Sequence, residues 1–192
     1  MDQYSRRIFL SRLVTGTGVA LAFSAIPNLA AAHDHVAKNK NGERKFSALT
    51  AEEAKELEAV CERIIPSDED GPGAREAGAI YFIDYILTHY QPELQPRIRK
   101  ALADYAREAS PKRFSELSAE QQIEILKKHE KTDEFEDIRN YTILGFLGDP
   151  SYGGNRDDMG WKYIGFENPG MFFPPFGYYD AELLKANKKE GE

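Results

Sequence analysis

Apolar residues recur with helical spacing along the middle of the chain, and this pattern predicts a series of amphipathic helices. The first helix begins behind Thr50 and Glu53, which form a capping box, and Pro66 ends it. The second covers residues 74–90, where apolar side chains occupy every face. Such a pattern is typical of a helix that is buried on most sides.

Three more helices are predicted in the following stretch. Pro92 is placed to start the third helix, and Ser118 and Gln121 form a second capping box in front of the fourth. The fifth covers residues 133–147, and no stretch before residue 160 alternates as a strand would. The pattern therefore predicts a mostly α protein, a single compact domain of about five helices.

The chain changes character after Gly145. Glycine, proline, asparagine and aromatic residues dominate residues 145–179, which excludes regular helix, and aromatic side chains at this density need burial. We expect an irregular segment that packs on the helices or on another protein. The candidate partner interface comprises Tyr152, Gly153, Gly154, Asn155, Arg156, Trp161, Phe172, Phe173 and Phe176.

The block around the two glycines leaves two roles open. Gly153 and Gly154 permit positive φ, and with Asn155 they suit a tight structural turn. Such a turn can present Arg156 and Trp161 outward, where they would contact a partner or ligand.

Residues 1–32 have the order of a secretory signal. Arg6 and Arg7 precede Phe9 and Leu10, a mildly apolar stretch follows, and small residues before His33 suit a cleavage site. Adjacent arginines indicate the twin-arginine pathway, which transports folded proteins, so we expect a periplasmic protein. Retention as a membrane anchor is the less favoured alternative, because the apolar run is short and rich in Gly and Thr.

Composition divides the remaining chain. Residues 33–45 are polar and predicted to be a flexible linker, residues 46–180 form the helical domain with its aromatic segment, and residues 181–192 are a charged tail.

The formal net charge is −7, and the chain has no basic block. Nucleic acid is therefore not an expected partner.

Few residues have the pattern of a catalytic or cofactor site. The chain lacks a dinucleotide-binding glycine fingerprint, and its single cysteine, Cys61, excludes both covalent haem attachment and an iron–sulfur cluster. We expect no catalytic residue and no cofactor on this chain, and a buried thiol at Cys61. Cleavage before His33 would allow the amine, His33 and His35 to bind Cu(II) or Ni(II), although an incidental polar tail is the favoured interpretation.

Other polar residues receive structural interpretations. Asp84 is a lone carboxylate in an apolar helix, so we expect it to pair with an arginine or with backbone donors. The acidic loop 68–73 fails the EF-hand spacing because Pro72 would fall at a ligand position, and we expect it to be solvated. His89 and His129 are predicted to be solvated at polar helix ends.

Several short motifs are spread over residues 46–169. They are Leu49-Thr50-Ala51-Glu52-Glu53, Ile65-Pro66, Gly71-Pro72-Gly73-Ala74, Phe82-Ile83-Asp84, the block from Asp149 and Pro150 through Tyr152-Gly153-Gly154-Asn155-Arg156, and Gly160-Trp161. Together they resemble the gluconate 2-dehydrogenase subunit 3 family. The Tyr-Gly-Gly-Asn block followed by Trp is the most specific part of this resemblance.

The resemblance implies a small, non-catalytic subunit of a periplasmic, membrane-associated dehydrogenase for gluconate, sugars or polyols. In that family the large subunit is a glucose–methanol–choline type flavoprotein, which binds FAD and oxidises the substrate. A cytochrome c subunit with its haem often completes the complex. The large subunit usually lacks a signal, so the small one is expected to carry it folded through the twin-arginine translocase and to aid its maturation.

The residues themselves also allow two other functions. One is a stand-alone exported enzyme or ligand-binding protein, in which Asp84, Arg156 or Trp161 lines a pocket. The other is a copper or nickel binder that uses His33 and His35.

Overall fold

The computed structural model describes residues 45–168. Within this range the chain forms six α-helices and no β-strand. The helices are α1 (Ala51–Ile64), α2 (Ala79–His89), α3 (Gln95–Ala109), α4 (Ala119–His129), α5 (Asp133–Leu147) and α6 (Met159–Ile164). Short 3-10 turns occupy Pro92–Leu94, Phe114–Glu116, Pro150–Tyr152 and Arg156–Asp158. The prediction of a mostly α domain is confirmed.

Both predicted capping boxes are present. The N–H of Glu53 donates to the Thr50 hydroxyl at 3.1 Å, and the N–H of Thr50 donates to the Glu53 carboxylate at 2.9 Å. Ser118 and Gln121 exchange the same pair of hydrogen bonds before α4. These bonds satisfy N–H groups that a helix start otherwise leaves without partners, and they set the first residues of α1 and α4.

Helix α2 begins later than the sequence predicts. Residues 74–78 form turns, and Gly78 adopts a left-handed conformation with φ of 69°. The left-handed Gly78 interrupts the helical backbone directly before Ala79, and Ala74 donates its N–H to the carbonyl of Ile65 at 2.8 Å, which ties the turns to the end of α1. The predicted helix over residues 74–90 is therefore corrected to Ala79–His89.

Helix α6 is a second correction, since it lies in the segment that we expected to be irregular. The glycine within it has a packing role. A Cβ at Gly160 would lie 1.9 Å from the carbonyl oxygen of Phe146, so only glycine allows α6 to approach the end of α5 this closely.

The core lies between α2 and the helices around it. Helix α2 packs most extensively on α5 and also contacts α1. Helices α2 and α5 approach closely at Gly145, where a Cβ would lie 2.9 Å from the carbonyl oxygen of Ala79. The core includes the fully buried Leu57, Val60, Ile80, Ile83, Ile98, Tyr105, Ile138 and Phe146. No helix in residues 45–168 is both long and apolar enough to cross a membrane.

Candidate functional site

Residues 149–161, which we call the capping segment, fold back over the C-terminal end of α5. The last carbonyl groups of a helix have no partners within it, and Asn155 supplies replacements. Its N–H donates to the carbonyl oxygen of Gly145 at 2.7 Å, and its Nδ2 donates to that of Gly148 at 2.8 Å. Its Oδ1 accepts the N–H of Gly160 at 2.8 Å. The fully buried Asn155 therefore joins the end of α5 to the start of α6.

The two glycines of the capping segment meet different requirements. Gly153 has φ of 98°, a region that side chains rarely adopt, as expected. Gly154 does not have positive φ, so that expectation is wrong for this residue. Glycine is required there because a Cβ would lie 2.2 Å from the carbonyl oxygen of Gly145.

Trp161 also caps α5. Its indole N–H donates to the carbonyl oxygen of Leu147 at 2.6 Å, and its ring meets Phe166 edge-on with centroids 5.3 Å apart. The side chain is half-buried, and its polar edge points into the domain. The indole N–H is thus turned inward, while the rest of the half-buried ring reaches solvent.

Tyr152 is buried in a small aromatic cluster on α2. Its ring meets Phe82 edge-on at 6.3 Å between centroids and lies 5.7 Å from the Tyr85 ring. Burial raises the pKa of both the Tyr85 and the Tyr152 hydroxyl above the ordinary value, so both remain protonated at neutral pH.

The capping segment thus combines internal and surface residues. Tyr152, Gly153, Gly154 and Asn155 are buried, whereas Arg156 is exposed. Phe172, Phe173 and Phe176 lie outside the described residues. That this set contacts a partner stays a prediction, and within residues 45–168 Arg156 and the outer part of Trp161 are the members that reach solvent.

Arg156 and Phe46 both contact the Tyr81 ring, and we call this cluster of three side chains the Tyr81 junction. Phe46 lies parallel to the Tyr81 ring with centroids 5.2 Å apart, and the Arg156 guanidinium carbon lies 5.8 Å from the centroid of the same ring. At an exposed site such a cation–π contact contributes about 0.5–1 kcal/mol. The junction brings the start of the described chain next to the capping segment.

Asp84 holds the same N-terminal residues. Its carboxylate accepts the backbone N–H groups of Ser47, Ala48 and Leu49 at 2.9, 2.9 and 3.0 Å. Arg99 adds a hydrogen bond to the carbonyl of Ala48 at 2.9 Å. The expectation that Asp84 pairs structurally is confirmed, and its partners are backbone donors.

Cys61 is fully buried, as expected, and lies 3.2 Å from the Thr142 hydroxyl, which donates to its sulfur. Burial raises the pKa of this thiol to about 12, so it is unreactive at neutral pH.

His89 is exposed, as predicted. The prediction for His129 is wrong, because it is half-buried, with Nε2 2.7 Å from the Glu108 carboxylate.

Several predicted residues lie outside the described residues. They are Arg6, Arg7, Phe9 and Leu10 of the export signal and His33 and His35 of the candidate metal site. Within residues 45–168, no group of three or more His, Cys, Asp or Glu side chains could hold a metal ion.

Sequence reasoning missed Phe46, Tyr81 and Gly145 as parts of this region. Gly145 had a readable signal, since an isolated glycine inside a helix commonly marks close packing. Phe46 and Tyr81 had none, because their stacking joins residues 35 positions apart.

One family model matches the chain, and it is described as gluconate 2-dehydrogenase subunit 3. The match covers residues 51–170, which include all six helices and the capping segment. No curated protein and no solved structure matches the chain significantly.

Proposed function

The chain belongs to the gluconate 2-dehydrogenase subunit 3 family, and on this basis we propose that it is the small, non-catalytic subunit of a periplasmic FAD-dependent dehydrogenase. Membership makes it an accessory subunit of a dehydrogenase complex with a separate catalytic subunit. The proposed catalytic subunit is a glucose–methanol–choline type flavoprotein that oxidises gluconate, a sugar or a polyol. A cytochrome c subunit would accept the electrons.

The family match over residues 51–170 is the observation that carries this proposal. The hydrogen bonds that Asp84 and Trp161 make within the domain also support the proposal. Asp84 binds three backbone N–H groups, and the Trp161 N–H binds a helix-end carbonyl. Asp84 and Trp161, two of the three candidate pocket residues of the stand-alone alternative, therefore make hydrogen bonds that hold the domain together.

We further propose that this subunit exports its partner. Arg6 and Arg7 form a twin-arginine signal, and that pathway accepts folded cargo, so a partner bound before transport can cross with it. The first described residues lie at the Tyr81 junction, beside the exposed Arg156, which remains a candidate partner contact.

Isolation of the native complex tests the proposal. The full-length chain, tagged at its C-terminus, is purified from the periplasmic fraction of its native host under mild conditions. The expected result is a complex with a larger chain that shows flavin absorbance and oxidises gluconate, a sugar or a polyol with an artificial electron acceptor. A chain that purifies without a flavoprotein, or that oxidises such a substrate by itself, would overturn the proposal.

A further inference from the structure

A cleft of about 430 Å³ opens on the side of the domain formed by the end of α1, one face of α4 and the start of α5. The face of α4 presents Ile123, Leu126 and Lys127, and Glu130 follows at the C-cap, with the spacing i, i+3, i+4 and i+7. This spacing places them on one side of the helix, so the cleft forms a groove beside α4.

Arg63 closes the α1 end of the groove with unused hydrogen-bonding capacity. Its side chain is only 20% exposed, and its buried Nε has no hydrogen-bond partner in residues 45–168. The nearest carboxylate is Glu62 at 3.9 Å, and that carboxylate already accepts hydrogen bonds from Ser67 and the N–H of Arg75. Arg63 therefore contributes to the groove lining a cation whose one carboxylate neighbour within 4.0 Å, among the described residues, is distant and already bonded, and a guanidinium suits a carboxylate ligand.

Three more cations surround the groove. Lys127 and Lys131 form no ion pair among the residues that the structure describes, and Arg139 pairs with Glu136 at 3.3 Å across an exposed contact. Among the residues that line the groove, Glu130 is the acidic one. On a chain with a net charge of −7, this is a local excess of positive charge.

The floor of the groove is apolar. It is formed by Ile64, Leu126 and Phe135, and Ile123 at the rim is 39% exposed, although large apolar side chains are normally covered. An apolar floor between cationic walls suits a ligand that carries both apolar and acidic side chains.

We propose that this groove docks an acidic, apolar segment of the catalytic subunit, an inference that rests on the proposed function. A polypeptide segment fits better than a small molecule, because Ile123, Lys127, Glu130 and Lys131 leave one side open to solvent. Charge complementarity with the four cations that line the groove favours an acidic segment.

Charge reversal tests the role of the cations in the full complex. Lys127→Glu with Lys131→Glu is compared with Lys55→Glu with Lys112→Glu, a control pair of exposed lysines outside the groove with the same charge change. The groove pair should weaken binding of the catalytic subunit at least about tenfold, and the control pair by less than about threefold. Equal binding by both pairs would overturn the docking proposal while leaving the proposed function intact. Failure of the wild-type chain to bind a flavoprotein would instead refute the proposed function.

Photo-crosslinking identifies the occupant without a charge change. Benzoylphenylalanine replaces Ile123 in the groove, or Ala103 on the exposed face of α3 as the matched control. A crosslink from position 123 to the catalytic subunit, absent from position 103, supports the proposal. Crosslinks from position 123 to residues 169–192 of the same chain or to a second copy of it would overturn the proposal. The absence of any crosslink in the purified complex would also overturn it.

Discussion

The side-chain amide of Asn155 donates to the backbone carbonyl of Gly148 at 2.8 Å, and both residues are buried. The same side chain accepts the N–H of Gly160 through Oδ1. One amide group thus supplies a donor where helix α5 ends and an acceptor where helix α6 begins. Ionised aspartate, which cannot donate, or alanine at this position would leave at least one of the two backbone groups without its partner.

Replacing Asn155 by alanine should lower the free energy of unfolding by about 2–4 kcal/mol, because two buried backbone groups lose their partners. Denaturant unfolding of the mature chain measures the change. Asn140→Ala, at an exposed position on α5, is the control and should change stability by less than about 0.5 kcal/mol. A loss as small as that of the control would contradict the capping role.

Gly154→Ala should destabilise the domain itself. The new Cβ would lie 2.2 Å from the carbonyl oxygen of Gly145, and a backbone atom cannot move aside cheaply. We expect a loss of about 2 kcal/mol or more, seen as a lower Tm of the isolated subunit. An unchanged Tm together with weaker binding of the catalytic subunit would show instead that Gly154 lies in the partner interface.

Asp84→Ala should release the N-terminal residues of the domain, because three backbone N–H groups lose a charged acceptor. Hydrogen exchange at Ser47, Ala48 and Leu49 should accelerate more than exchange in the core of α2. Asp84→Asn is the graded control, since it keeps one acceptor oxygen, and it should have an intermediate effect. Unchanged exchange in both variants would contradict the role of Asp84.

The helices were predictable where their signals are local. Thr50 with Glu53 and Ser118 with Gln121 encode caps within four residues, so α1 and α4 begin as expected. The start of α2 was missed because residues 74–78 are helix-compatible in composition. They form turns instead, because Gly78 adopts a left-handed conformation and the helix starts only after it.

The candidate site was less predictable because its contacts join distant positions. The burial of Asp84 in an apolar helix implied a partner, but nothing in the sequence identified residues 47–49 as that partner. The sequence indicated that glycine matters at position 154, but the reason differs from the expected one. Glycine is required because a side chain has no space beside Gly145, and not because the residue has positive φ. Such a close approach is set by how α5 and the capping segment pack.

Cys61 should not react with a thiol reagent in the folded protein. Burial raises its pKa to about 12, so the reactive thiolate is about one part in ten thousand at pH 8, and it becomes a major form only as the pH approaches 12. Release of the chromophore from Ellman's reagent at pH 8 should be slow in native buffer and rapid in guanidinium chloride. Stoichiometric release on mixing under native conditions would contradict the buried position.

Changing both Arg6 and Arg7 to lysine should leave the catalytic subunit in the cytoplasm. Lysine keeps the charge, so the double variant tests recognition of the arginine pair by the export receptor and not electrostatic attraction to the membrane. Flavoprotein and dehydrogenase activity should move from the periplasmic to the cytoplasmic fraction, with little change in their total. Arg12→Lys, which alters an arginine outside the pair, is the control and should leave export unchanged. Periplasmic activity that persists in the double variant would show that the catalytic subunit does not depend on this signal, and the export role would then be rejected.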